Sequence, residues 1–296
     1  MSATQGMTAK VSIPVLKAGS RIFELLGCVA DNAYNREGFE IAVLDLYGSA
    51  YSKSVFRGMA VPTLRNLGFI VGYGDLIRIS ANGALVHVAR QVDLSEGLRA
   101  LRALLVEMDA DIGMLDYLRD AATVTLESLV AEWSERIELS DRRVANRRPA
   151  RNRAARERIL DWVGFLAFAE LVYRDKHGVR LDAARAQEAV QDVNPLSPTK
   201  AEAFEDLVIG EYRKLVSGQK GVKTLEIEEL RRAVVTQAYR RGRAIITEKQ
   251  FDTLLSRLPP DTSSYTIGFG RSMGADEKLF YHKGKYFQTI TIRFTD

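Results

Sequence analysis

Apolar side chains return at helical spacing soon after the chain begins. Ile22, Phe23, Leu26 and Val29 share one face behind Ser20, a residue able to cap a helix start. The same spacing predicts helices over Phe39–Leu46 and Ser52–Leu67, with Pro62 starting or kinking a turn in the second. Leu64–Ile70 reads as a helix end, a glycine C-cap at Gly68 and the start of an apolar strand. Gly72–Asp75 is a tight turn, Leu76–Ile79 a returning strand, and Ser80–Gly83 caps a helix running to about Gln91.

Leu94–Glu138 has no proline, and acidic residues fall between its leucines, as on the wet face of a helical connector. Leu160–Tyr173 is nearly all apolar and predicts a buried helix, followed by a second over about Asp182–Val193. Asn194–Pro198 is the clearest boundary, with Ser197 as cap and Pro198 at a first helical position. Beyond it, helices are expected at Ala201–Val216 and Leu225–Tyr239. A capping box at Thr247–Gln250 opens a third over Glu248–Leu258, which Pro259 and Pro260 stop. Alternation then predicts strands at Tyr265–Gly270, Lys278–His282 and Lys285–Phe294, with a hairpin turn at Lys283-Gly284. Ile290, Ile292 and Phe294 should share one face of the last strand.

Composition changes this picture little, and charge changes it more. Hydrophobic residues are 46% and charged residues 27% of 296, ordinary for a folded chain. No apolar run reaches the roughly 18–20 residues of a membrane span. Met1–Ser12 lacks the basic-then-apolar order of a secretory leader, so a cytoplasmic protein is expected. The single cysteine, Cys28, leaves no disulfide framework, and His87, His177 and His282 are too scattered for a histidine metal site. Neither a cofactor nor a metal is expected. The net charge of +4 is unevenly spread. Residues 1–92 hold nine basic and six acidic groups, 93–141 four and twelve, 142–195 twelve and seven, and 196–296 seventeen and thirteen. An acidic block thus separates basic regions, and basic regions suit an anionic partner such as nucleic acid. Arg142–Arg158 is the densest of them, with Arg142, Arg143, Arg147, Arg148, Arg151, Arg153, Arg156 and Arg158 against Glu157 alone, interrupted by Pro149. Arginine is the side chain suited to paired hydrogen bonds with phosphate.

Three helices, then "LRNLGFI", a short hairpin, "DLIRIS" and "ANGALV", give residues 18–92 an order that resembles a winged-helix DNA-binding domain. Helices followed by a long basic hairpin repeat that logic over 196–296, with no literal sequence repeat. The fold expected is therefore mainly α with small β-wings. It has an arm (1–17), a winged helix (18–92), an acidic helical connector (93–141), an arginine-rich and buried helical region (142–195) and a second winged helix (196–296). The resemblance implies double-stranded DNA as partner, with a third helix in the major groove and the wing on the backbone or minor groove. By position it places Ser52, Lys53, Ser54, Arg57 and Arg65 on the first recognition helix, and Lys249, Gln250 and Thr253 on the second. Arg271, Lys278, His282, Lys283 and Lys285 fall on the wing, and Arg240, Arg241 and Arg243 form a further basic run.

Two other readings stay open. Winged helices also serve as adaptors on ATPase or nuclease complexes, and the acidic and arginine-rich segments would then be docking surfaces. Mobile-element or phage defence is one setting for either role. Pro260-Asp261 followed by Asp276-Glu277-Lys278 spells the "P-D…D/E-x-K" pattern of many metal-dependent nucleases. Its middle residue is the charged Glu277 and a glycine-containing loop precedes it, which argues against the buried, rigid strand such a site uses. A non-enzymatic protein is expected.

Overall fold

The computed structural model describes residues 10–48, 54–121, 123–138, 148–194, 198–219, 223–271 and 278–295, with the backbone alone at 148 and 198–202. The chain is mainly helical with small antiparallel sheets. A 3₁₀ turn at Gly19–Arg21 runs straight into α1 (Ile22–Asp31), so Ser20 lies inside the turn and does not cap a helix. Ile22, Leu26 and Val29 are buried, as their spacing requires. α2 (Arg36–Tyr47) starts at Asn35, whose side chain accepts the Gly38 N–H at 3.0 Å. The next helix opens with a π-helical turn, Phe56–Ala60, and continues as α3 (Val61–Asn66). Pro62 sits in the first turn of α3, where a missing N–H costs little.

Gly68, with φ of +67°, ends α3 and leads into the hairpin of β1 (Ile70–Val71) and β2 (Arg78–Ile79). α4 (Ala81–Val92) is capped by Ser80, whose hydroxyl accepts the Gly83 N–H. A Cβ at Gly83 would stand 2.3 Å from the Phe69 carbonyl oxygen, so glycine alone permits this approach of helix to hairpin. α5 (Leu94–Asp109), α6 (Met114–Ala121) and α7 (Leu126–Ser134) fill the acidic stretch. α8 (Arg148–Phe168) is one continuous helix, so Pro149 opens it and interrupts nothing. It stops at Phe168, short of the expected Tyr173. Tyr173 instead lies on β3 (Val172–Asp175), paired with β4 (Gly178–Leu181) ahead of α9 (Ala183–Asp192).

The C-terminal part runs α10 (Pro198–Leu215), β5 (Leu225–Glu226), α11 (Ile227–Gly242), α12 (Glu248–Leu255), β6 (Tyr265–Arg271), β7 (Phe280–His282) and β8 (Lys285–Phe294). Leu225 and Glu226, expected as helix, are extended because they pair with Ile290 and Thr289 of β8; the helix begins only at Ile227. β8 is central, with β5 on one side and β6 on the other, and β7 pairs its first residues. Between the pairs Gly270–Thr289 and Arg271–Phe287, β8 carries one unmatched residue, Gln288. Such a bulge reverses the inside–outside alternation of the strand. Phe287 accordingly joins the inner side, where it meets Phe269 and lies opposite the fully buried Phe280, and Tyr286 turns outward.

One contiguous hydrophobic core reaches from Ile13 to Ile292. α11 lies along α4 and α10 along α11, so the N- and C-terminal elements share that core directly. Fully burying a side chain such as Leu230, Val234 or Val235 contributes about 1.5–3 kcal/mol.

Candidate functional site

The polar residues of α12 and the hairpin β7–β8 converge on a cleft of about 470 Å³. Lys249 and Thr253 of α12, with Ser256 just past its end, form one wall and Leu279 and Tyr281 the other, with Asn82 and Glu107 at the side. The capping box predicted from sequence sets α12 in place. Thr247 Oγ1 accepts the Gln250 N–H at 3.2 Å, and Gln250 Oε1 accepts the Thr247 N–H at 2.8 Å.

Under the cleft lies a chain of buried charges. Arg231, 1% exposed, donates from Nε and Nη2 to Asp252 Oδ1 at 3.0 and 2.7 Å and from Nη1 to Glu228. Glu228 also accepts the Ala81 N–H at 3.0 Å. Glu248 and Asn82 bond reciprocally: each backbone N–H donates to the other's side chain, at 3.0 and 2.9 Å. Lys278 Nζ completes the set, donating to Glu248 at 2.5 and 2.6 Å and to the Gly68 carbonyl at 2.6 Å. Burial pushes the carboxyls of Glu228, Asp252 and Glu107 above the usual range, opposed at the first two by Arg231. The same two carboxylates outweigh desolvation at Arg231 and hold its pKa up. Paired in this way, the floor joins the start of α4 to the starts of α11 and α12.

These contacts correct several expectations. Lys278 precedes β7 instead of starting it, and its ammonium is held by Glu248 and Gly68 because that end of the hairpin packs against α3 and α12. Gln250 is buried; its amide caps α12 and reaches the Asp192 carbonyl at 3.4 Å, so it does not belong to an outward recognition surface. Arg65 donates to the Gly72 carbonyl at 2.8 Å and stacks over Tyr73, bracing the first hairpin. Arg57 and Ser54 are exposed. Ser52, Lys53, Arg142, Arg143 and Arg147 lie outside the described residues, as does the side chain of Arg148. Arg153 pairs with Glu157 at 3.0 Å on an exposed helix face, and Arg151 lies 3.9 Å from Glu135. Arg240, Arg241 and Arg243 are exposed at the end of α11, away from the cleft lining; Arg243, with φ of +55°, stacks over Tyr239.

The cleft thus brings together Lys249, Thr253 and Lys278 of the expected set, and the hairpin tip adds His282, Lys283 and Lys285. Arg271 is exposed at the end of β6. Of the nuclease pattern, Asp261 accepts the Thr266 hydroxyl at 3.0 Å and Lys278 is engaged as above, while Asp276 and Glu277 lie outside the described residues. Among the described residues no group of three or more His, Cys, Asp or Glu side chains could hold a metal ion. Cys28 is half-buried, and burial pushes its thiol up, away from the reactive thiolate.

Arg231, Glu228, Asp252, Tyr281 and Tyr286 were not singled out from the sequence. Arg231 had a signal: with Ile227, Leu230, Val234, Val235 and Ala238 buried, it occupies a core position of the 3.6-residue pattern. A charge at such a position implies a buried partner.

No helix among the described residues is long and apolar enough to cross a membrane. The chain matches no protein-family model, and comparison with curated proteins and with solved structures returns no match, so the cleft and its hairpin stand on their own geometry.

Proposed function

We propose that the chain is a non-enzymatic DNA-binding protein whose C-terminal unit is a winged helix. The observation that carries this reading is the element order and its pairing. Helix, strand, helix, helix and then three strands follow one another from α10 to β8, with β8 between β5 and β6. In that arrangement α12 is the helix that would face the major groove, with Lys249 and Thr253 on its outward side and Ser256 at its end. The β7–β8 tip would lie along the backbone. Residues 279–295 contain Lys283, Lys285 and Arg293 and no carboxylate, which suits a phosphate-facing hairpin. Arg151, Arg153 and Arg156 near the start of α8 offer a second cationic surface.

The reading is tested by changing Lys283 and Lys285 together to Ala and measuring duplex affinity across a salt series. If both touch phosphate, affinity falls for every sequence and the slope of log affinity on log salt flattens by about two units. An unchanged slope would move the hairpin out of the interface and favour the protein-adaptor role.

A further inference from the structure

The β7–β8 hairpin presents two opposite faces. Phe280 and Phe287, directly paired, point inward against Phe269. Tyr281 and Tyr286, also directly paired, point outward and are 58% and 61% exposed, their ring centroids 5.0 Å apart. Two tyrosines exposed side by side make a small aromatic patch available to a partner. Their position is built by specific backbone features. The unmatched Gln288 turns Tyr286 out, and positive φ at Lys283 and Gly284 closes the tight turn that holds the two rings in register. Two lysines lie near the rings: Lys283 in the adjoining turn, and Lys249 across the cleft that Tyr281 borders, which Glu107 and Glu248 also line. His282 and Lys285 alternate onto the other face, where His282 stacks on Phe280.

Flat aromatic faces set among lysines suit a stacked base with its phosphate alongside, the combination by which single strands are held without regard to sequence. A paired duplex offers stacking faces only at its ends, so the rings have no use along its length. We infer that Tyr281 and Tyr286 form a stacking platform for unpaired bases, and that the preferred ligand is a duplex carrying a single-stranded tail. This deepens the nucleic-acid reading above and rests on it.

The experiment compares a labelled blunt duplex with the same duplex bearing a short oligothymidine tail, by fluorescence anisotropy at fixed salt. The wild type should bind the tailed duplex about tenfold tighter, equivalent to about 1.4 kcal/mol, within the range of one stacked base. Tyr281→Ala with Tyr286→Ala should erase that preference, so that the tailed and blunt duplexes bind the variant equally. Tyr281→Phe with Tyr286→Phe should keep it, because stacking needs the ring and not the hydroxyl. Equal binding of both ligands by the wild type, or a preference that survives the double alanine, would overturn the platform and leave duplex binding standing. Binding of neither ligand would remove the DNA reading and the platform with it.

Discussion

Asp109 is the side chain whose environment most clearly sets a pH dependence. It is buried at the end of α5, where Oδ1 accepts the Trp162 indole N–H at 3.1 Å and Oδ2 the Leu115 N–H at 2.7 Å. Burial outweighs these donors and pushes its carboxyl up from 3.8 to about 6. The folded chain therefore holds this proton more tightly than the unfolded chain does. The stabilisation is complete below about pH 4 and is lost as pH rises through about 6. Each tenfold gain in proton affinity is worth about 1.4 kcal/mol, so the stability lost is on the order of 2–3 kcal/mol. Asp109→Asn should remove this slope. It should also add a pH-independent cost of about 1–2 kcal/mol, because the two N–H groups reach different oxygens and the amide puts an NH2 in place of one of them. Urea unfolding at pH 4 and pH 7 checks this: the variant, about 1–2 kcal/mol less stable than wild type at pH 4, should match or overtake it at pH 7, a relative change of about 2 kcal/mol. Parallel profiles would contradict it.

Among elements, the hairpin and the helices differ in how far the sequence disclosed them. Ser80 and Thr247 announced the starts of α4 and α12, since each cap is a local matter of one side chain and one N–H three residues on. Strand alternation failed at a single residue. Read with period two, Tyr286 belongs with Ile290 and Ile292 on the inner face, and only the bulge at Gln288 reverses it. A bulge depends on the partner strand, which a linear pattern does not contain. β5 was missed for a related reason, because its two residues are extended only through pairing with β8. In the cleft, Lys249 and Thr253 were legible as polar positions of an amphipathic helix, whereas the roles of Lys278 and Gln250 depended on groups far away in sequence. Lys278 gives the element-scale prediction. Its ammonium ties the hairpin base to α12 and to the end of α3, with its own side chain 19% and that of Glu248 13% exposed. Lys278→Met should cost about 2 kcal/mol of stability in thermal unfolding, since Glu248 loses its cation. Below the transition, DNA affinity should stay unchanged. An unaltered Tm with weakened binding would return Lys278 to the interface.

At the scale of the molecule, the acidic stretch has a use that its charge alone did not suggest. Glu96 of α5 accepts the Tyr239 hydroxyl, and Glu107 accepts the Thr247 hydroxyl at 3.0 Å, so α5 holds the end of α11 and the cap of α12. Arg99 of the same helix pairs with Asp192 at 2.5 Å. With these contacts and the Glu248–Asn82 exchange, α12 is oriented by elements on both sides of it. A helix held in this way offers a partner its outward face and the adjoining hairpin, with little ordering left to pay for on binding. The central claim is that this face meets the phosphates of DNA. Fluorescence anisotropy of a random-sequence duplex across a salt series tests it most directly. Kd should be about micromolar or tighter at low salt. With about 6–10 phosphate contacts, affinity should fall roughly 10³–10⁵-fold between about 50 and 200 mM salt. Binding that is absent, or that does not change with salt, would contradict it.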